Sequence, residues 1–226
     1  MMSFKIIAID GPTGSGKSTI ARLLAKEKGF LYVDTGAMFR CLGYAWKKQG
    51  LCQNDEVLRK LGLDTKIVFE PDGRVYCNGE EVTELIRGED ISLLASQISK
   101  FPLIRQNMKA QQRQLVREAE KIGNYHGAVL EGRDIGTIVF PDASLKFFLD
   151  GNNKIRAQRR FEQLAAKGES VSYEEILNAL ETRDAQDRNR EIAPLLPAKD
   201  AIHVNSTNLT IPEVLSFLIS EIEQVR

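Results

Sequence analysis

The chain has 226 residues, of which 31 are Lys or Arg and 31 are Asp or Glu. That length can bury a full core as one α/β domain with small insertions. Balanced charge argues against a protein that coats nucleic acid, whose affinity would rest on neutralising phosphates. Cys41, Cys52 and Cys77 are widely spaced and form no C-x-x-C pair, which predicts reduced thiols rather than a disulfide frame or a zinc site. No stretch reaches the length of a membrane span, and no charged leader with an apolar core opens the chain. A cytoplasmic protein is expected.

In chain order, Phe4–Ile9 reads as a buried strand. It runs into Gly11-Pro12-Thr13-Gly14-Ser15-Gly16-Lys17-Ser18, and a helical pattern follows from Thr19 to Lys28. A strand, Gly-x-x-x-x-Gly-Lys-Ser and a helix in that order make a phosphate loop. The glycines let N–H groups turn inward around an anion, and the positive end of the helix faces the same point. Lys17 reaches the outer phosphates and the Ser18 hydroxyl is placed to ligate Mg²⁺, so a nucleoside triphosphate is the expected ligand. Phe30–Val33 is the second core strand. Lys66–Glu70, Arg74–Cys77 and Glu80–Val82 are short β-like runs separated by Pro71-Asp72-Gly73 and Asn78-Gly79, which predicts a small antiparallel meander.

Helical patterns follow at Glu89–Lys100 and Pro102–Lys121. Ala128–Leu130, Leu145–Leu149 and Ala201–Val204 complete five apolar runs of the kind that strands covered on both faces need. After Asp150 comes a helix carrying Arg156, Arg159 and Arg160, then Gly168, then a second helix from Ser172 with Glu175 completing a capping box. This Arg-rich hairpin reads as a mobile lid. The last helix is Ile211–Gln224, capped by Thr210 with Glu213. The fold class is therefore α/β: a five-stranded parallel sheet with helices on both faces, plus a small antiparallel β insert and a helical lid.

Ligands of an open parallel sheet sit outside the carboxyl ends of its strands. That places Asp34-Thr35-Gly36-Ala37-Met38-Phe39-Arg40 beside the phosphate loop. Thr35 offers a hydroxyl and Arg40 a bidentate phosphate contact; the alternative is a helix N-cap with a solvated Arg one turn in. The third core strand ends in Glu131-Gly132-Arg133-Asp134. Such charges are costly to bury unpaired, so they face a site or form a structural ion pair. Glu131 is placed to support the Mg²⁺ shell, and Arg133 and Asp134 point towards an acceptor.

In Arg183-Asp184-Ala185-Gln186-Asp187-Arg188-Asn189-Arg190, helical spacing puts Arg183, Asp187 and Arg190 on one face. Arg156 and Arg160 share another in the lid. Alone, such runs read as solvated faces. Beside a phosphate loop they supply the guanidinium groups that transfer between two polyanions needs. Only His126 and His203 exist; both lie in or beside strand segments and read as structural. A nucleotide phosphate, with a second pKa of about 6, is ionised without help. The missing base therefore points to a phosphate acceptor, with Glu131 or Asp134 as a base for a hydroxyl acceptor the alternative.

The phosphate loop, Asp34 to Arg40, the block Glu131-Gly132-Arg133-Asp134-Ile135-Gly136-Thr137-Ile138-Val139-Phe140-Pro141-Asp142 and Arg183 to Arg190 with Ala193-Pro194-Leu195 together resemble bacterial cytidylate kinases, nucleoside monophosphate kinases of the P-loop class. The likeness runs nearly end to end. It implies an adenylate-kinase-like core and transfer from ATP-Mg²⁺ to CMP or dCMP by a monomer, with no nucleic-acid or membrane partner. By motif, Gly11 to Thr19 with Arg156 and Arg159 would bind ATP. Arg40, Arg133 and Arg190 would grip the acceptor phosphate beside Asp34, Thr35 and Gly132. Arg183 and Asp187 would hold the sugar region, and Ser96, Arg105 and Asp134 would read the cytosine edge. Lys17, Arg133, Arg156, Arg160, Arg183 and Arg190 would carry the catalytic charge.

On this likeness one kinase domain spans 1–226. Residues 1–62, 122–150 and 191–226 are core, 63–121 the monophosphate-binding region with its three-stranded insert, and 151–190 the lid and Arg-rich helix. Phe39 stands where Tyr is common and Glu131 where Asp also occurs. A GTPase would need Asn-Lys-x-Asp, and Asn153-Lys154-Ile155-Arg156 lacks the Asp. A nucleic-acid-stimulated ATPase would bind DNA or RNA with steep salt dependence. A kinase for UMP or shikimate is the nearest alternative within enzymes.

Overall fold

A computed structural model describes residues 4–70, 73–166 and 168–224. Strand β1 (Lys5–Asp10) leads into α1 (Lys17–Lys28), then β2 (Leu31–Asp34), α2 (Thr35–Lys48) and α3 (Asp55–Asp64). Three short strands follow, β3 (Ile67–Phe69), β4 (Val75–Cys77) and β5 (Glu80–Glu81), then a 3-10 turn at Leu85–Arg87, α4 (Glu89–Ile98) and α5 (Pro102–Ile122). The remainder is β6 (Gly127–Gly132), a π-helical turn at Ile135–Val139, β7 (Leu145–Asp150), α6 (Asn153–Ala165), α7 (Tyr173–Asn189), β8 (Ile202–Asn205) and α8 (Ile211–Gln224).

The five expected core strands form one parallel sheet in the order β2-β6-β1-β7-β8, as a doubly wound chain requires. The third is longer than its apolar run predicts: β6 keeps Glu131 and Gly132 in register with Ile9 and Asp10. Ile7, Ile9, Val129, Phe147 and Leu149 of the sheet share one buried cluster with Ile20 and Leu24 of α1 and Val214, Leu218 and Ile222 of α8. The chain divides into two compact units, residues 1–33 with 116–226, and residues 34–115.

In the second unit, β3, β4 and β5 form the expected antiparallel sheet. Asn78 and Gly79 both take positive φ, 53° and 83°, the twist that lets a two-residue hairpin follow its strands. The Pro71-Asp72 part of the other turn signal lies outside the described residues. Helix α3 has no counterpart in the sequence reading. Its signals are Asn54, whose side chain accepts from Glu56 N–H, then Asp55 and Glu56 in the first turn and the buried pair Leu58 and Leu61. Trp46 meets Phe101 edge-on at 6.1 Å between ring centres. All three cysteines are free thiols.

Helices α6 and α7 carry their own small core of Ala157, Leu164, Ile176 and Leu180. The capping box at Ser172 and Glu175 forms as expected, and Thr210 and Glu213 cap α8 reciprocally. One expectation changes. Arg190 is not on the α7 face but just past its end, with extended backbone at φ −67° and ψ 140°. Leu195 N–H bonds Asp187 O at 2.8 Å and the Arg190 guanidinium bonds Ala193 O; the chain turns back on itself and the helix cannot continue.

Candidate functional site

The site in the first unit starts from the carboxyl end of β1. Gly11 passes so close to β7 that a Cβ on it would lie 2.0 Å from Leu149 O; only glycine lets the loop begin there. Pro12 and Ser15 are buried, whereas Gly14, Gly16 and Ser18 are exposed and Thr13 and Thr19 half-buried. Gly16 takes φ 90° and ends the loop at the first turn of α1. Lys17 is 4% exposed, and its ammonium donates to Pro12 O at 2.6 Å and to Ser15 Oγ at 3.4 Å. Burial first, then the Arg133 charge, push it down to about 7 against the pull of Glu131, Asp10 and Asp184.

Arg133, just past β6, donates from Nε to Asp187 Oδ2 at 2.7 Å and from Nη2 to Thr13 Oγ1 at 2.8 Å. Burial works against its charge, but the Asp187 carboxylate outweighs it and raises its pKa. Asp187 is itself held below the carboxylate range: burial opposes ionisation, and Arg133 and Arg190 overcome it. Arg190 Nη1 lies 3.5 Å from Asp187 Oδ1. Arg183 is half-buried on α7 and its charge also favours the Asp187 anion. Glu131 is buried and accepts from Tyr32 Oη at 3.3 Å. Gly132 and Asp134 are buried beside it in the chain.

The hairpin arginines divide. Arg156 is 1% exposed and bonds Asp184 Oδ2 at 2.6 Å, Asn153 Oδ1 at 2.6 Å, Gly151 O at 3.1 Å and the carbonyl of Thr13. Arg159 Nη2 donates to the carbonyls of Ser206, Thr207 and Leu209, the first at 3.0 Å. Arg160 is half-buried. The segment ordered by Arg159 borders a cavity of about 540 Å³ at the carboxyl ends of β7 and β8, lined by Asp150, Gly151, Asn152, His203, Asn205 and Thr207 among others. Sequence reasoning missed this cavity, because its walls come from the ends of β7 and β8 and the loops after them, which carry no motif.

It also missed two carboxylates. Asp184 was one letter in a charge run, yet it is 5% exposed and accepts from Thr13 N–H at 3.0 Å as well as from Arg156. Asp10, the last residue of β1, is 4% exposed and accepts from Ile135 N–H at 2.9 Å and Gly136 N–H at 2.7 Å. It thereby pins the turn that follows Arg133 and Asp134. A lone Asp between an apolar strand and the glycine loop was the available signal.

Burial raises the Asp10 carboxyl from 3.8 to about 6, more than its two backbone hydrogen bonds lower it. The fold therefore holds this proton more tightly than the unfolded chain does. Its stabilising contribution is complete below pH 4 and lost as pH rises through 6. The advantage of wild type over Asp10→Asn in urea unfolding should shrink between pH 4 and pH 7. A difference independent of pH would show that Asp10 titrates alike in both states.

The second unit holds the other predicted residues. Asp34 Oδ1 accepts from Ala37 N–H at 2.7 Å and so caps α2, while Oδ2 pairs with Arg40 at 3.1 Å. Arg40 Nε is buried with no hydrogen-bond partner among the described residues, a donor that an anion would satisfy. Thr35 is buried at the start of α2. Arg105 lies 5.5 Å over the Phe39 ring and donates to Ser99 O at 3.2 Å; Ser96 O accepts from Ser99 Oγ at 2.8 Å. His126 and His203 are both exposed; His203 packs 5.7 Å from the Phe148 ring.

A family model described as Cytidylate kinase matches residues 7–224. The chain is 45% identical over 223 residues to "Cytidylate kinase" of Citrifermentans bemidjiense, covering 97% of this chain and 93% of the relative. It is 46% identical over 217 residues to the protein of that name from Geobacter sp. (strain M21), covering 94% and 90%. For the one from Pseudomonas syringae pv. tomato the identity is 43% over 223 residues, covering 96% and 94%.

Proposed function

The chain belongs to the cytidylate kinase family, and we infer that it transfers the terminal phosphoryl group of ATP to CMP or dCMP through the residues gathered around Lys17 and Arg133. The observation that carries the reading is the Arg133 guanidinium, bonded to the phosphate loop at Thr13 on one side and to Asp187 on the other. A cation held there lies between the donor loop and an acceptor set of Arg183, Asp187 and Arg190. Phosphoryl transfer needs positioned positive charge more than covalent chemistry.

In this reading Gly11, Pro12, Thr13, Gly14, Ser15, Gly16, Lys17, Ser18 and Thr19 cradle the triphosphate. The cavity beside Asn205 and Thr207 is large enough for a nucleoside and takes the base and ribose of ATP. A triphosphate beside Lys17 restores the ammonium that burial weakens. Arg133 and Arg190, with Gly132 and Asp134, serve the acceptor phosphate and base. Within residues 34–115, Asp34, Thr35, Arg40, Ser96 and Arg105 serve CMP. The acceptor phosphate is ionised near neutrality, so no side chain has to remove a proton. Residues 151–190, with Arg156, Arg159 and Arg160, act as the lid that excludes water.

No group of three or more His, Cys, Asp or Glu among the described residues can hold a metal ion. The donors present, the exposed Ser18 hydroxyl and the Glu131 carboxylate, suit a Mg²⁺ that arrives on the triphosphate. When bound, it neutralises charge on the outer phosphates. No described helix is long and apolar enough to cross a membrane. A cytoplasmic monomer without nucleic-acid partners remains part of this proposal.

A coupled assay of ADP formation over a panel of monophosphates tests it. Turnover should be high with CMP and dCMP and much lower with AMP or GMP. Equal rates across the panel would remove the cytosine assignment.

A further inference from the structure

Thr13 has three polar groups, and a different element holds each. Its N–H donates to Asp184 of α7 at 3.0 Å, its carbonyl accepts from Arg156 of α6, and its hydroxyl accepts from Arg133, past β6, at 2.8 Å. Asp184 and Arg156 are bonded to each other at 2.6 Å and almost fully buried. The backbone of Thr13 is therefore clamped by the hairpin helices, and its side chain alone faces Arg133. Arg133 continues to Asp187, and Asp187 to Arg190. The loop turn that receives one polyanion is thus joined to Arg133, among the arginines that receive the other, by the Thr13 hydroxyl.

We propose that the Thr13 hydroxyl is a positioning group that couples the two nucleotide sites, so that ATP on the loop and CMP at the arginines strengthen each other's binding. The proposal rests on the reading of this unit as a two-phosphate site. Three bonds fix the guanidinium plane: to Asp187, to Thr13, and a 3.3 Å bond from Nη1 to Gly132 O. Only the Thr13 bond reaches the phosphate loop. If triphosphate settles that loop, it settles Arg133 as well. Linkage then requires CMP to favour ATP by the same factor.

The test is calorimetric titration of CMP into the full chain, with and without a non-hydrolysable ATP analogue and Mg²⁺, for wild type, Thr13→Val and Thr13→Ser. The analogue should tighten CMP binding at least about 5-fold in wild type, the low end of usual coupling. In Thr13→Val that factor should fall to within about 2-fold of unity, the factor being taken as a ratio within each variant so that any change in its affinity for the analogue alone cancels. Thr13→Ser keeps the acceptor and should restore the coupling. If Thr13→Val does not fold, Thr13→Ala makes the same deletion. A wild-type factor retained without the hydroxyl overturns the proposal, as does a wild type with no coupling or a Ser variant that behaves like Val. Absence of CMP binding to wild type, with analogue binding intact, is the separate result that overturns the functional reading and the coupling with it.

Discussion

Lys17→Ala should abolish measurable turnover with CMP while the protein stays folded. The ammonium is almost fully buried at the mouth of α1, within 2.6 Å of Pro12 O, and burial has already weakened its charge to a pKa of about 7. A buried ammonium with so small a preference for the charged form adds little to stability, and alanine favours the helix it would enter. Catalysis is different. The same group, beside a triphosphate in a water-poor site, neutralises charge that shifts as the bond breaks. Removing one such preorganised partner costs about 10²–10³ in kcat, and more where the group also positions the phosphate. Single-turnover ADP formation, read together with circular dichroism and the urea midpoint, checks both halves. Unchanged turnover in a folded variant would mean that this loop is not the donor site.

Arg133→Ala should lower kcat by about 10³ or more, the range found for arginines that meet charge in phosphoryl transfer. Here the fold is also at stake. Asp187 would lose its nearer cation, at 2.7 Å, and keep Arg190 at 3.5 Å and the more distant charge of Arg183. Removing one member of a buried pair costs about 3–5 kcal/mol, and the remaining Arg190 contact offsets part of it. Arg133→Lys separates the two effects. Its single ammonium can neutralise Asp187, but it cannot also span to the Thr13 hydroxyl as the planar guanidinium does. The Lys variant should therefore recover most of the urea stability and little of the kcat. If kcat recovered with stability, Arg133 would be a structural partner of Asp187 and not part of the transfer site.

Much of this was legible in the chain beforehand. The phosphate loop was, because its chemistry depends on backbone shape and its glycines are confined to eight consecutive letters. The five strands were: β1, β6 and β7 are buried over most of their length, which calls for unbroken apolar runs, and the partly exposed edge strands β2 and β8 keep shorter ones. The Asn78-Gly79 turn was, because two successive positive φ angles restrict the choice of residue. Family likeness then named an acceptor that spacing alone could only describe as an ionised phosphate.

The run from Arg183 to Arg190 shows where sequence stops. Helical spacing grouped Arg183, Asp187 and Arg190 on one face, but Asp184, one residue from the first of them, is the carboxylate that reaches Thr13 and Arg156. Arg190 joins Asp187 only because the chain leaves the helix and turns back through Ala193. Asp10 carried no pattern beyond its place between an apolar strand and the glycine loop; it became an acceptor for backbone N–H groups 125 and 126 residues away because β6 lies next to β1.

Neighbouring letters set most of the strand, loop and helix segments, with α3 and the end of α7 the exceptions, since those segments depend on residues a few positions apart. Only the tertiary structure decided which arginines are committed to protein partners and how Thr13 joins them. Those pairings are set by strand order and helix docking, which bring together groups up to 171 residues apart and leave no periodicity in the chain. The loop shaped for phosphate was therefore readable, and the hydroxyl that bonds it to Arg133 was not.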